Sequence, residues 1–387
     1  MKQTIDKIDV DGKRVLMRVD FNVPVKNGII NDDRRIRMAL PSILSVLERG
    51  GSLTLLSHLG RPTGKGVEPE FSLAPVALRL SELLGVPVSC SNDDTTSTII
   101  LRENLRFNAG EKLGSSDFAS TLVTGSDMYC NDAFGTAHRE HASMVAVPEA
   151  MQGKPRVAGL LLAKELQYLD NAIAHAEQPF VAVLGGAKVA DKMGAIENLL
   201  GKVDTILIGG AMAYTFLVSI GEDVGSSLVE KNRILDAKKM LKQAKKSTTT
   251  IMLPTDHVCA KQIGGRVETT TMHTPIPQGL MGLDIGPETI KTYSRVLKKA
   301  KTIVWNGPMG VFEVSPYDEG TKRMATAVSE ATEQGAVSIV GGGDTASAVS
   351  LFELESKMTH LSTGGGASLQ MLEGKAFSSV ALLDDAL

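Results

Sequence analysis

Cysteine is scarce in this chain. The three residues, Cys90, Cys130 and Cys259, stand far apart and form no CxxC pair, so no disulfide framework and no zinc-ligand spacing is indicated. Buried thiols in a reducing cytoplasmic protein are the expectation. An excess of charge is also lacking: 41 Lys and Arg face 44 Asp and Glu, a formal net charge of −3. Such a balance gives no bulk attraction for nucleic acid or acidic lipid, so any polyanion site has to be local. Long apolar runs are absent too. The uncharged stretch 205–221 falls short of the roughly 18 apolar residues of a membrane span, and Gly209-Gly210 interrupts it; it reads as strand, glycine turn, helix. The first eleven residues alternate charged and apolar and lack the apolar stretch of a secretory signal. Two familiar nucleotide signatures are missing: no Gly-Lys pair is followed by Ser or Thr, and no GxGxxG opens a helix.

Glycine, in contrast, is abundant: 38 of 387 residues, about 10% against an average near 7%. Hydrophobic residues make up 43% and charged residues 22%, enough apolar material for sizeable cores. At about 150 residues per domain, the length predicts two or three compact units. Short aliphatic or β-branched runs at 15–19, 53–56, 180–184, 205–208, 302–305 and 337–340 alternate with longer amphipathic stretches. That alternation predicts an α/β fold with parallel sheets and helical crossovers. Strands buried on both faces read as continuous apolar runs, as these do. Leu162, Leu166, Leu169 and Ile173 fall at helical spacing, with Pro179 beyond them as a stop. This is the expected connector between two halves. Thr/Ser clusters at 93–98 and 247–250 read as loops.

The halves differ in the residues that close their strands. In the first, Arg18, Arg35, His58, Arg61, Arg106, His138 and Arg139 fall at or shortly after strands; in the second, glycines do, at 185–186, 209–210, 341–343 and 364–366. Ligands of open parallel sheets bind beyond the carboxyl ends of the strands. A crevice of guanidinium groups suits a small ligand carrying phosphate and carboxylate; scattered surface arginines are the alternative. Asp20 and Asn22, and likewise Asn131 and Asp132, form polar breaks after buried strands, either as ligand contacts or as turns and caps. Glycine turns that open helices offer free amides and the positive end of a dipole to phosphate, which points to a nucleotide; tight turns alone would also use glycine. Lys188 and Lys192, four apart, are expected on one face at the start of a helix. Asp344 is either a helix cap or a carboxylate for Mg²⁺, which takes one or two protein carboxylates and completes its shell with phosphate and water. Glu313 is placed to meet ribose hydroxyls, and Trp305 reads as core.

The stretches VLMRVDFNVP at 15–24, SHLGRP at 57–62, NDAFGTAHR at 131–139, GGAKVADK at 185–192, WNGPMGVFE at 305–313, GGGDT at 341–345 and TGGGA at 363–367 together resemble the phosphoglycerate kinase family of bacterial-type length, along nearly the whole chain. The resemblance implies two Rossmann-like three-layer α/β/α lobes. Residues 1–168 would take the acid substrate and 177–368 the Mg-nucleotide; a connecting helix would span 158–176, and 369–387 would return to the first lobe. It places 3-phosphoglycerate or 1,3-bisphosphoglycerate on Asp20, Phe21, Asn22, Arg35, His58, Leu59, Gly60, Arg61, Arg106 and Arg139. It places Mg-ATP or Mg-ADP on Lys192, Gly209, Gly210, Asn306, Pro308, Glu313, Gly342, Gly343, Asp344 and Thr345, with Asp344 on the metal. Arg35, Lys188, Gly343 and Gly366 would serve the phosphoryl group in flight. It further implies a cytoplasmic monomer acting on small molecules, with no nucleic acid and no membrane partner. One departure is the tail, where residues 375–379 replace the Leu-Pro-Gly expected after the final Gly-Lys; how it docks is left open.

The implied reaction passes phosphate between an acyl phosphate and ADP, and its acceptor in reverse is a carboxylate already ionised near neutral pH. No general base is required, which agrees with a site of Arg, Lys, Mg²⁺ and helix N-termini. Two rivals remain. A catalytically silent nucleotide-binding protein would use the glycine turns but not the arginines; another acyl-phosphate kinase would prefer a shorter acid.

Overall fold

The computed structural model describes residues 1–386, apart from the side chains of 170–174. The chain divides into two compact units, 1–167 with 376–387, and 168–375. Each is built on a six-stranded parallel sheet.

In the first unit the strands run, from edge to edge, Ser89–Cys90, Ile99–Leu101, Ser52–Leu56, Arg14–Val19, Met128–Asp132 and Arg156–Ala158. Arg14–Val19 lies in the middle, with Val15 beside Leu53 on one neighbour and Met128 on the other. Its last five residues are buried, as a strand covered on both faces requires. Val15, Met17, Val19, Leu53, Leu55 and Ile99 belong to one core with Ile36, Ala39, Ile43 and Val46 of the helix Arg34–Leu47. Those four helix positions recur at three- and four-residue intervals, one face of a 3.6-residue turn. Each of the fully buried Val, Leu, Ile and Met side chains in this core contributes about 1.5–3 kcal/mol. The same packing holds Arg35, in the helix's first turn, at the end of the central strand.

The second unit orders its strands Thr250–Met252, Thr205–Ile208, Phe180–Leu184, Thr302–Asn306, Val337–Gly341 and His360–Leu361. Here Val304 pairs with Ala182 and Ile339, again in the sheet centre. All six apolar runs read from the sequence are strands, to within one residue at either end. A three-stranded antiparallel sheet, with Asp256–Ala260 between Thr270–His273 and Met281–Ile285, was not expected. Its strands pair antiparallel and are joined by loops without a helix, so the alternation of strand and crossover helix that reveals a parallel sheet is missing there.

The expected connector is the helix Leu160–Ala174. Leu162 and Leu169 are buried, while the side chain of Ile173 lies outside the described residues. The helix is started by Asp132, whose Oδ1 accepts the amides of Leu161 at 2.9 Å and Leu162 at 3.1 Å. Asp132 thus acts as a cap, one of its two sequence readings. The stretch 205–221 is strand Thr205–Ile208, then helix Met212–Ser219, and no described helix is long and apolar enough to cross a membrane. Cys130 and Cys259 are buried, whereas Cys90, on an edge strand, is only half-buried; burial pushes the Cys90 thiol up to about 11.

The tail packs on the first unit. Ser379 donates to the Ala137 carbonyl at 2.6 Å, Ser378 to Glu140 Oε1 at 2.8 Å, and Asp384 pairs with Arg156 at 3.1 Å. The return begins at Ala376, not at 369, because 365–372 is a helix of the second unit. Ser378 and Ser379, in the stretch that stands where Leu-Pro-Gly was expected, supply two of the tail's contacts.

Candidate functional site

At the carboxyl ends of the first unit's strands, cationic side chains converge on His58. Asp20, directly after the central strand, accepts Arg35 Nη1 on Oδ2 at 2.7 Å. Asn22 accepts the Gly60 amide on Oδ1 at 2.9 Å, joining the first polar break to the loop after Ser52–Leu56. Gly60 has φ +61°, and a Cβ there would lie 2.4 Å from the Phe71 ring, so this turn tolerates only glycine. Arg106, itself 5% exposed, donates to the Gly60 carbonyl at 2.7 Å. Its burial, then Arg139 and Arg18, draw its guanidinium down to about 10. His58 is 2% exposed; burial first, then Arg18, Arg106, Arg139 and Arg35, hold its imidazole well below the usual histidine range. The ring is therefore neutral at physiological pH. His138 shifts the same way, through burial and then Arg139.

Most of the predicted residues of this half meet here. Arg139 stands exposed at the rim but acts electrostatically on His58, Arg106 and His138. Arg61 is exposed, one residue beyond Gly60. Phe21 and Leu59 are buried in the core, and Phe21 is tied by its amide to Ser57 Oγ at 2.9 Å. Sequence reasoning missed what lies beneath. Glu111, fully buried, accepts the Ser143 amide at 3.0 Å and the Ser143 hydroxyl at 2.6 Å. Ser143 Oγ in turn accepts Arg18 Nε at 2.9 Å. Asn104, 2% exposed, fastens the Leu59 and Phe71 carbonyls at 2.7 and 2.9 Å. No sequence motif marks Glu111 or Ser143, since 32 residues separate them.

In the second unit the glycine turns interlock at the strand ends. The Gly186 amide donates to the Pro308 carbonyl at 2.9 Å, and the Gly210 amide to the Met309 carbonyl at 2.9 Å. Gly210 has φ +65°, and a Cβ there would sit 2.5 Å from the Gly186 backbone; the loops cross where only hydrogen fits. Gly209-Gly210, 341–343 and 364–366 lead directly into helices starting at Met212, Gly343 and Gly365. The fourth turn, 185–186, does not. Its helix begins only at Met193 with Lys192 as N-cap, so Lys188 and Lys192 do not share a helical face. The reason is local: the Lys192 amide closes a turn on Val189, and the Ala190 amide goes to Glu230 Oε2 at 3.1 Å.

The two lysines differ accordingly. Lys188 is exposed. Lys192 reaches Asn306 Oδ1, and burial draws its ammonium down to about 8 despite Asp191, Asp344 and Glu373 nearby. Asn306 Nδ2 is buried without a partner. Thr345, fully buried, accepts the Gly307 amide at 2.7 Å. Trp305 is core, its Nε1 donating to the Gly307 carbonyl at 2.8 Å. Asp344 is exposed in the first turn of Gly343–Leu351, and the N-cap there, Gly342, receives no side-chain capping bond. Asp344 is thus not a cap; its carboxylate stands beside open helix amides and the Lys192 ammonium. Gly366 is exposed in the first turn of its helix, Glu313 is exposed, and Pro308 is buried with its carbonyl committed to Gly186.

Residues 5–375 match the profile of the family described as phosphoglycerate kinase. A phosphoglycerate kinase of Rhodopirellula baltica is 56% identical, with the alignment covering 100% of both chains. One of Thermosipho africanus is 51% identical over 98% of this chain and 97% of its own. Among solved structures, phosphoglycerate kinase from Coxiella burnetii superposes with a TM-score of 0.89 at 38% identity, covering 99% of this chain and 98% of that one. The enzyme from Pyrococcus horikoshii gives 0.85 at 29% identity, with the same coverage. With a full-length sequence match, a full-length structural match and the motif set all in agreement, this chain belongs to the phosphoglycerate kinase family.

Proposed function

We propose that this chain transfers the acyl phosphate of 1,3-bisphosphoglycerate to Mg-ADP, giving 3-phosphoglycerate and ATP, reversibly, as a step of glycolysis. The observation that carries the assignment of ligands is the convergence of Arg18, Arg35, Arg106 and Arg139 on a buried, neutral His58. Such a cluster holds a small polyanion by charge and forked hydrogen bonds. Asp20, Asn22, Arg35, His58, Arg61, Arg106 and Arg139 bind the acid substrate, and the neutral histidine donates without adding a cation. Gly60 and Arg106 hold each other in place at the rim.

The nucleotide lies on the glycine turns of the second unit. The open amides of Gly343–Leu351 and Gly365–Leu372 face phosphate oxygens, with Lys192, Asn306 and Thr345 behind them and Lys188 at the transferring group. The orphaned Asn306 Nδ2 is a donor in need of an acceptor of the kind a phosphate supplies. Asp344, exposed in the first turn of its helix, would hold Mg²⁺, an ion that commonly takes only one or two protein carboxylates beside substrate phosphates. Its chemistry there would be to offset phosphate charge. The rest falls to alignment and cationic stabilisation by Arg35 and Lys188, because the attacking carboxylate needs no base. Transfer in line requires both ligands to be brought together and water excluded; the helix Leu160–Ala174, where the boundary between the units falls, is the hinge. The enzyme works as a cytoplasmic monomer.

The test is a Mg²⁺-dependent assay of ATP formation from ADP and 1,3-bisphosphoglycerate, run beside acetyl phosphate. Turnover with the first donor alone is expected. Equal turnover with acetyl phosphate, or none with either, overturns the assignment.

A further inference from the structure

Arg18 is fully buried, and no carboxylate among the described residues bonds to it directly. Each of its three nitrogens makes a bond: Nε to Ser143 Oγ at 2.9 Å, Nη1 to the Val19 carbonyl, and Nη2 to His58 Nδ1 at 3.1 Å. An arginine cannot accept a hydrogen bond. The nitrogen it addresses on His58 must therefore be the bare one, which leaves the proton on Nε2. The other end of the chain is equally directional. Glu111 takes both the amide and the hydroxyl proton of Ser143, so the Ser143 hydroxyl has its proton spoken for and only a lone pair to offer Arg18. The order Glu111, Ser143, Arg18, His58 thus runs one way, with every member at most 2% exposed.

We infer that Glu111 and Ser143 are positioning residues that act through Arg18 to hold His58 as its Nε2–H tautomer, making it a hydrogen-bond donor toward the acid substrate. Two features support the direction. Asp20 Oδ1, which would stabilise a proton on Nδ1, stands 4.0 Å away, beyond a hydrogen bond. The other charged groups acting on the ring, Arg106, Arg139 and Arg35, all disfavour the imidazolium. His141 lies at the side of the chain, 3.7 Å from Glu111 Oε1, and burial pulls it down to about 4, so it does not compete as a cation for Glu111. A histidine with its Nδ1 engaged from beneath presents one donor in a fixed direction. A substrate phosphate or carboxylate is acceptor-only and matches it.

The inference rests on the reading that this cluster binds the acid substrate, and the experiment separates the two. Full-length protein labelled with ¹⁵N-histidine is followed by long-range ¹H–¹⁵N spectra, with His58 assigned by its loss in His58→Gln. Expected is an unprotonated Nδ1 and a protonated Nε2 that persist from pH 8 to pH 5. In Ser143→Ala the two tautomers should mix, and the KM for 3-phosphoglycerate should rise on the order of tenfold, as for loss of one charge-assisted bond, with the KM for Mg-ATP unchanged. Arg18→Lys, which keeps the charge but not the fork, should mix them too. Should Ser143→Ala not fold, Glu111→Gln serves, since its amide must donate where the carboxylate accepted. A protonated Nδ1 in the unaltered protein, or tautomers indifferent to these variants, overturns the inference. If instead the tautomer is as described but 3-phosphoglycerate leaves the His58 signals unmoved, the substrate-binding reading fails and the positioning chain stands.

Discussion

In the proposed mechanism, Arg35 carries both a local and a catalytic role. It rides on the first turn of Arg34–Leu47 and is bonded at 2.7 Å to Asp20 at the end of the central strand, with its side chain one-third exposed. Such a pair adds little to stability, about 1 kcal/mol or less. A preorganised donor aimed at a transferring group, by contrast, is worth roughly 3 kcal/mol or more. Arg35→Ala is accordingly expected to lower kcat by about 100-fold or more while moving the unfolding midpoint only slightly; near-normal turnover in steady-state assays would refute its role. Asp20, Asn22, Arg35 and His58 were legible because each lies at or just beyond a strand end, or opens the next helix. Glu111 and Ser143 were not. Ser143 meets Arg18 across 125 residues, and a buried polar contact of that range leaves no trace in local spacing.

Among the elements, the connector helix starts on a titratable group. Asp132 is fully buried, accepts two amides on Oδ1, and leaves Oδ2 without a partner. Burial pushes its carboxyl up to about 7, above the roughly 3.9 of an unfolded chain. As pH climbs, the unfolded state gives up its proton first, so this group's contribution to stability falls between about pH 4 and pH 7. Asp132→Asn cannot ionise and lacks that slope. The variant, destabilised at pH 4.5, should recover several degrees relative to the parent by pH 7.5, given that 1 kcal/mol moves the midpoint of a domain of this size roughly 2–4 °C. Parallel melting curves across that range would contradict the assignment. The sequence offered Asp132 as cap or contact, and could not choose, because the amides it caps lie 29 and 30 residues on. In the same way Lys188 and Lys192 read as helical neighbours, whereas Glu230, 40 residues from Ala190, draws the turn away from a helix.

For the whole molecule, the proposed transfer between ligands held on separate units makes closure measurable. Small-angle scattering should give a smaller radius of gyration with 3-phosphoglycerate and Mg-ATP together than with either alone. An unchanged radius under saturating ligands would remove the hinge from the mechanism. The division itself was visible in the sequence as a change in the residues that close the strands, basic in the first half and glycine in the second. The small antiparallel sheet was not, since antiparallel strands joined by loops carry no crossover signature.

The amino-acid sequence by itself determined the α/β class, six of the strands in the two parallel sheets, the helix between the units and the two chemistries at the strand ends. These arise from periodicity and from the residue types that end strands, which are local properties of the chain. Only the tertiary structure decided that Asp132 caps a helix, that Asp344 stands free of any cap beside Lys192, and that Glu111, Ser143 and Arg18 underlie His58. Hydrogen bonds and desolvation depend on which distant groups share a buried space, and that is settled by packing.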